Sequence, residues 1–216
     1  MTAAATPRDE ARKVRALRLL HGELGACKAC SKMIGPVVHG PPVASRVLLV
    51  GQAPGPREGG FGKPFAWTAG KTMFGWFERV LGIDEEHFRA TIYMAAVARC
   101  FPGKASGGGD RKPDSDEVTR CESWLVREVA ILEPDLVLAV GTLAIERVLG
   151  VKEPLVDLVG TQRRAVWHGR EVDVIPLPHP SGASPWHRIE PGKTLLEKAL
   201  RRIGKHPAMQ GPLESR

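Results

Sequence analysis

The chain has 216 residues, of which 43% are hydrophobic and 25% are charged, which allows one sizeable core and is rather short for two full domains. No apolar run approaches the eighteen or more residues of a membrane span, and the charged N-terminus lacks the apolar stretch of a signal peptide. We therefore expect a cytoplasmic protein with no membrane partner. Residues 1–216 should form one domain, with an N-terminal helix and a C-terminal tail as appendages.

The net charge is +7 and the isoelectric point is about 9.5. Excess Lys and Arg favours polyanionic partners such as nucleic acid or acidic lipid. A solvated basic surface with no such partner has the same composition, so charge alone leaves both interpretations open.

Hydrophobic spacing predicts helices that alternate with strands. In chain order we expect a helix over 1–26, a loop over 27–45, a strand over 46–50, a helix over 70–82, a strand over 91–97, a loop over 103–113, a helix from the capping box at 114–117, a strand over 136–140, a helix over 142–149, a strand pair at 166–168 and 172–177, a helix over 193–203 and a frayed tail. This alternation predicts a parallel sheet covered on both faces. Ligands of such sheets bind beyond the carboxyl ends of the strands, so we expect function in loops 51–65, 97–113 and 178–188.

The four cysteines follow the pattern C-x2-C-x69-C-x20-C, from Cys27 and Cys30 to Cys100 and Cys121. In a reducing compartment such cysteines are metal ligands or buried thiols rather than disulfides. Zinc sites commonly use two CxxC pairs, whereas the second pair here is split by a long loop, which fits an iron–sulfur cluster at least as well. Spacing alone leaves zinc, a cluster and plain buried thiols open.

Three loop motifs could carry chemistry. The turn 51–55 exposes backbone N–H groups at the end of a strand, Phe65 could stack on a base or cap the core, and His179 could donate a hydrogen bond to a substrate oxygen. Ser181 and Gly182 could offer N–H groups to a phosphate. There is no Walker motif and no G-x-G-x-x-G, which argues against a nucleotide-cofactor enzyme.

Taken in order, these motifs resemble the uracil-DNA glycosylase superfamily, most of all its iron–sulfur branch, the type 4 and 5 enzymes. The resemblance runs from about Cys27 to Ser181. It is carried by the CxxC pair, Gly51-Gln-Ala-Pro-Gly55, Glu58, Gly62-x-Pro-Phe65, Cys100, Cys121 and His179-Pro-Ser181.

The resemblance implies a three-layer α/β/α sandwich with a central, mainly parallel four-stranded sheet. It implies a 4Fe-4S cluster on the four cysteines and no catalytic metal. The implied reaction is hydrolysis of the bond between uracil and deoxyribose in single- or double-stranded DNA, by a monomer that flips the base out and leaves an abasic site.

The resemblance also implies roles for individual residues. Phe65 would stack on uracil, the backbone of Gly51 and Gln52 would contact its carbonyl, and His179 would stabilise the departing uracil anion through O2. The implied catalytic set is His179, Gln52 and Glu58, and the implied base contacts add Ala53 and Ala96. Implied DNA contacts are Gly55, Ser181 and the segment Gly182, Ala183, Ser184 and Trp186, which would press into the duplex.

Two positions depart from the best-known relatives. Ala53 stands where they carry a water-activating Asp, as it does in type 4 enzymes, and Ala96 stands where type 4 enzymes carry an Asn that reads the uracil edge. Base selection must then come from Gln52, Glu58 or backbone groups, and a wider substrate range is expected. Water would be activated by Glu58, or the sugar cation would capture a nearby water.

The loop 103–113 combines glycines with Lys104, Arg111 and Lys112, and we expect it to contact DNA phosphates or to be a mobile, solvated loop. Two other functions stay open. The protein could bind damaged or abasic DNA with weak turnover, or it could be a zinc-stabilised α/β hydrolase or small-molecule binding protein.

Overall fold

The computed structural model describes residues 6–182 and 184–214. Within this range five strands form one sheet in the order β2-β1-β3-β5-β4. Their bounds are β1 Val47–Gly51, β2 Tyr93–Ala96, β3 Leu136–Val140, β4 Arg163–Trp167 and β5 Arg170–Leu177. The first three strands and β5 run parallel, and β4 pairs antiparallel with β5. The predicted mainly parallel sheet is confirmed, but it has five strands rather than four, because the hairpin 163–177 adds an antiparallel edge strand.

Burial explains the two kinds of strand. Every residue of β1 and β3 is buried, as expected for parallel strands covered on both faces. β4 alternates between exposed and half-buried positions before Trp167, and Arg163 and Arg164 give this edge a charge that discourages pairing with another chain.

The helices are α1 Pro7–Gly25, α2 Glu58–Phe61, α3 Thr68–Leu81, α4 Glu85–Thr91, α5 Ser115–Leu132, α6 Thr142–Leu149, α7 Leu155–Leu158, α8 Gly192–Lys205 and α9 Gln210–Glu214. Side chains of α3, α4 and α8 pack on one face of the sheet around Leu49 and Leu138. Side chains of α1, α5 and α6 pack on the other face around Leu48 and Val137. The predicted three-layer sandwich is confirmed.

The capping box predicted at the start of α5 is present, since Asp114 accepts from the Glu117 N–H and Glu117 accepts from the Asp114 N–H. The prediction of a frayed tail is wrong for residues 207–214. A 3-10 turn and α9 pack back on the core there, with Met209 fully buried and the Pro212 carbonyl bonded to His87. This segment is too short to show a periodic apolar pattern, so the sequence gives no sign of its packing. Among the described residues, no helix is both long and apolar enough to cross a membrane.

Candidate active site

A cavity of about 500 Å³ opens at the carboxyl edge of the sheet. The turn after β1, the end of β2 and the segment after β5 meet there. Of the predicted catalytic and base-contacting residues, the lining contains Gly51, Gln52, Ala53, Glu58, Phe65, Ala96 and His179. Of the predicted DNA contacts it contains Gly55, Arg111, Lys112, Ser181 and Ser184. The structure therefore brings together motifs that lie up to 128 positions apart in the sequence.

Three predicted DNA contacts are not part of the cavity lining, and one lies outside the described residues. Lys104 pairs with Asp110 at 2.6 Å on the exposed loop, and Gly182 is exposed beside the cavity mouth. Trp186 is half-buried against the core, where a Cβ on Gly192 would meet its carbonyl oxygen at 1.9 Å. Ala183 is the residue outside the described range.

His179 follows β5 and presents a neutral imidazole. Its Nδ1 accepts a hydrogen bond from the Ser181 N–H at 3.2 Å, so the proton of the neutral ring is on Nε2. Burial lowers the pKa of His179, which keeps the ring neutral near pH 7. A side chain on Gly141 would place its Cβ 3.1 Å from His179 Cδ2. Gly141, at a φ of 85°, thus leaves room for the ring in a turn that also favours glycine. The result is one fixed N–H donor at the cavity wall.

Phe65 also lines the cavity and is held in a strained conformation. Its φ is 53°, in the left-handed region that bulky residues rarely adopt. Arg89 donates from Nη1 to the Pro64 carbonyl at 2.9 Å and from Nη2 to the Phe65 carbonyl at 3.1 Å. Two glycines allow this close fit. A Cβ added to Gly51 would lie 3.0 Å from the Phe65 ring, and a Cβ added to Gly70 would lie 1.7 Å from the Phe65 carbonyl oxygen. The sequence predicted Phe65 in the site but gave no sign of Arg89.

Glu58 joins the two loops that carry the Gly51 turn and Phe65. Its buried carboxylate accepts from the Gly55 N–H at 3.2 Å and from the backbone N–H groups of Phe65 and Ala66. Burial raises the pKa of Glu58, and these bonds partly oppose that rise.

Asp110 lines the same cavity and was not predicted as a site residue. Its charge acts on His179 and opposes the effect of burial on the pKa of that ring. Together Glu58 and Asp110 are the carboxylates that line the cavity within the described part of the chain.

The backbone of the turn after β1 is partly used by the sheet. The Gly51 carbonyl accepts from Val97 N at 2.9 Å, and the Gln52 carbonyl accepts from Ala98 N at 3.0 Å. These bonds fix the turn next to Ala96.

The basic loop 103–113 is mostly exposed, but its end at Arg111 is bound to the protein. Arg111 binds both carboxylate oxygens of Glu117, at 2.6 and 2.7 Å, so its guanidinium is held at the start of α5. Lys112 lines the cavity, and its side chain forms no ion pair within the described residues. Lys112 is therefore better placed than Arg111 to bind a phosphate.

The four cysteines converge although they come from three parts of the chain. Burial, together with negative charge on Cys121, Cys27 and Cys30, raises the pKa of the Cys100 thiol to about 11. Among residues 6–182 and 184–214, no group of three or more Cys, His, Asp or Glu side chains is close enough to hold a single metal ion. A tetrahedral zinc draws its sulfurs together at 2.3 Å from the metal, whereas a multi-iron cluster spreads them further apart.

A buried cation lies beside these thiols. Arg99 is 1% exposed, and its backbone N–H donates to the Cys121 sulfur. Its guanidinium Nε and Nη1 have no partner among the described residues. Glu128 binds its Nη2 and accepts from Tyr93 at 2.6 Å. Unused buried donors with positive charge suit an anionic group at the four cysteines, so the residues fit an iron–sulfur cluster.

The fold and the site define an α/β sandwich protein whose binding cavity combines an aromatic ring, a neutral histidine donor and backbone N–H groups at the carboxyl edge of the sheet. Residues 37–203 match the family profile of the uracil DNA glycosylase superfamily. The chain belongs to that superfamily, as its motifs predicted.

The chain is also similar to curated type-4 and type-5 uracil-DNA glycosylases. It is 26% identical to a type-4 uracil-DNA glycosylase of Sulfurisphaera tokodaii over 64% of this chain and 61% of the relative. It is 25% identical to one of Archaeoglobus fulgidus over 74% of this chain and 78% of the relative. It is 27% identical to a type-5 uracil-DNA glycosylase of Pyrobaculum aerophilum over 60% of this chain and 56% of the relative. The matched region thus spans about three fifths of the Sulfurisphaera tokodaii relative.

Proposed function

We propose that this protein is a monofunctional uracil-DNA glycosylase of DNA repair. It hydrolyses the bond between uracil and deoxyribose in a flipped-out nucleotide and leaves an abasic site. Family membership supports this function, as do relatives named uracil-DNA glycosylase. The observation that carries it is the pairing of a fixed aromatic ring, Phe65, with a neutral N–H donor, His179, on one cavity.

The reaction breaks the C1′–N1 bond, and the bonding electrons leave with uracil as an anion while the sugar becomes an oxocarbenium-like cation. Water then adds to C1′ and loses a proton. The Nε2–H of His179 bonds to O2 of the departing uracil, where negative charge develops. A pre-aimed donor of this kind contributes about 100- to 1000-fold in rate.

Phe65 stacks on the flipped uracil, and the backbone N–H groups of Gly51, Gln52 and Ala53 bind its polar edge together with the Gln52 side chain. Ala96 supplies no amide to reject other bases. A site with fewer matched polar groups discriminates less strongly, so we expect slow excision of some other deaminated or mispaired bases.

We assign Glu58 a positioning role, because its oxygens accept from three backbone N–H groups and it thereby holds the Gly51 turn against the Phe65 loop. Asp110, which lines the same cavity and pairs with Lys104, is the other carboxylate that can accept the proton of the attacking water. If Glu58 positions the loops, Glu58→Gln, which keeps one acceptor oxygen, should retain more activity than Glu58→Ala. Equal and complete loss in both variants would favour Glu58 as the general base.

The DNA backbone lies along the rim that carries Gly55, Lys112, Ser181, Gly182 and Ser184, with Lys104 and Arg111 behind it. The half-buried Trp186 packs against the core just after this rim. N–H groups and Lys side chains are the usual phosphate donors in such interfaces.

We also propose that a 4Fe-4S cluster binds to the four cysteines, Cys27, Cys30, Cys100 and Cys121. When bound, the cluster supplies a structural cross-link between the segment after α1, the end of β2 and the helix α5. The test is the iron and sulfide content of the protein, with its visible absorbance, against the variant Cys121→Ser. Stoichiometric zinc with no visible absorbance would contradict the proposal.

The activity is tested with labelled oligonucleotides that each carry one modified base, in single- and double-stranded form. The panel contains uracil, a thymine mispair, hypoxanthine and xanthine, and alkali-labile abasic sites are counted. Uracil should be released fastest. Tight binding in gel shifts without any abasic site in either strand form would favour a DNA-binding protein instead.

A further inference from the structure

Two large aromatic side chains at the rim of the cavity are partly exposed to solvent. Phe61 is 50% exposed and Trp67 is 40% exposed. Their ring centroids lie 5.8 Å apart with an angle of 21° between the planes. The Arg57 guanidinium lies 4.5 Å from the Trp67 ring centroid. We call Arg57, Phe61 and Trp67 the aromatic platform.

Local structure holds the platform together. Arg57 precedes α2 and Phe61 ends it, so the two lie one turn apart on the same side of the helix. Gly62, in the left-handed conformation, ends α2, and Trp67 is the residue that immediately precedes α3. The platform is therefore built on the ends of two helices rather than on a free loop.

The platform continues the surface of the cavity. Arg57 and Trp67 both line it, and Trp67 is two residues from Phe65, the ring proposed to stack on uracil. A nucleotide next to the flipped one would pass directly over this rim.

The chemistry of the platform fits a nucleobase. Every base offers a flat face that stacks on aromatic rings and on the guanidinium plane of Arg. Arg57 forms no ion pair within the described residues, so its charge is available to the DNA backbone. Other exposed apolar side chains, such as Leu19 and Val166, are aliphatic and carry no cation of this kind.

We propose that the aromatic platform stacks an unpaired nucleobase next to the base held in the cavity, so that the protein prefers uracil in single-stranded DNA. This inference rests on the proposed function. A duplex would have to unpair a second base to reach the platform, and that unstacking has an energetic cost, whereas a single strand offers the base freely.

The test measures affinity by fluorescence anisotropy for single-stranded oligonucleotides that carry 2′-fluoro-deoxyuridine, whose fluorine opposes cation formation and so prevents cleavage. Trp67→Ala and Phe61→Ala should each weaken binding about 5- to 100-fold. Trp67→Phe and Phe61→Tyr keep a flat ring and should bind nearly as well as the unaltered protein. Val166→Ala, on the edge strand β4, is the matched control and should have no effect.

An abasic spacer in the DNA identifies the partner of the platform. With the unaltered protein, replacing the neighbouring nucleotide on one side of the uracil by a spacer should weaken binding, and Trp67→Ala should weaken it no further on that DNA. Unchanged affinity in Trp67→Ala and Phe61→Ala, or additive losses with spacers on both sides, would overturn the inference. Excision is read separately with normal uracil, so a protein that shows the coupling but releases no base would refute the proposed function while supporting the platform.

Discussion

Replacing Arg89 with Met should release Phe65 from its strained conformation. A bulky residue held at positive φ costs about 1–3 kcal/mol. The two hydrogen bonds from Arg89 to the Pro64 and Phe65 carbonyls contribute about 1.5–3 kcal/mol each, since the donor is charged. Together they outweigh the strain. Without them, the bonds that Glu58 accepts from the Phe65 and Ala66 N–H groups are left to oppose the strain. Met can still pack over the Phe74 ring, which the guanidinium covers at 4.7 Å.

The expected result is a loss of binding-competent protein. If about 1–3 kcal/mol of strain is released, the half-saturating protein concentration in single-turnover excision should rise about 5- to 100-fold. The maximal rate should change less, because His179 is untouched. Arg89→Lys can reach one carbonyl and should give an intermediate value. Unaltered half-saturation in Arg89→Met, at a temperature where circular dichroism shows it folded, would refute the positioning role.

Three further predictions concern other parts of the structure. Gly141→Ala should reduce excision at least tenfold, because the new methyl group would displace the His179 ring; a fully active, folded variant would contradict the assigned ring position. Lys112→Ala should reduce by about 1 the slope of log affinity for DNA against log salt concentration. Arg111→Ala should mainly lower the melting temperature, since Arg111 is paired with Glu117. Equal slopes for all three proteins would show that Lys112 does not contact a phosphate. Burial lowers the pKa of His21 to about 4, so between about pH 6.5 and 4 the unfolded state binds a proton that the folded state does not. The urea midpoint should therefore fall as the pH is lowered through this range. A constant midpoint would contradict the burial of a neutral His21.

The parts of the fold that the sequence predicts are those with strong local signals. The unbroken apolar runs of β1 and β3 mark them as covered strands, and the Asp114 and Glu117 pair marks the start of α5. The short helices α2, α4 and α7 have too few turns to show a periodic pattern, and their stability depends on neighbours distant in the chain.

The residues of the candidate site also fall into those that the sequence predicts and those that it does not. The parallel-sheet rule and the ordered motifs place Phe65 and His179 at one cavity. The bonds of Arg89 to the Phe65 loop, and the position of Asp110 in the same cavity as His179, depend on tertiary structure. Nothing in the neighbouring sequence of either residue distinguishes it from an ordinary surface charge. The same holds for the buried pair of Arg99 and Glu128, which are 29 residues apart.

The most direct measurement of the central claim is the single-turnover rate of free uracil release from an oligonucleotide with one uracil, for the unaltered protein and for His179→Ala. The account predicts release by the unaltered protein and a rate about 100- to 1000-fold lower in the variant, with both proteins folded to the same extent. Absence of free uracil with the unaltered protein, in single- and double-stranded DNA alike, would contradict it.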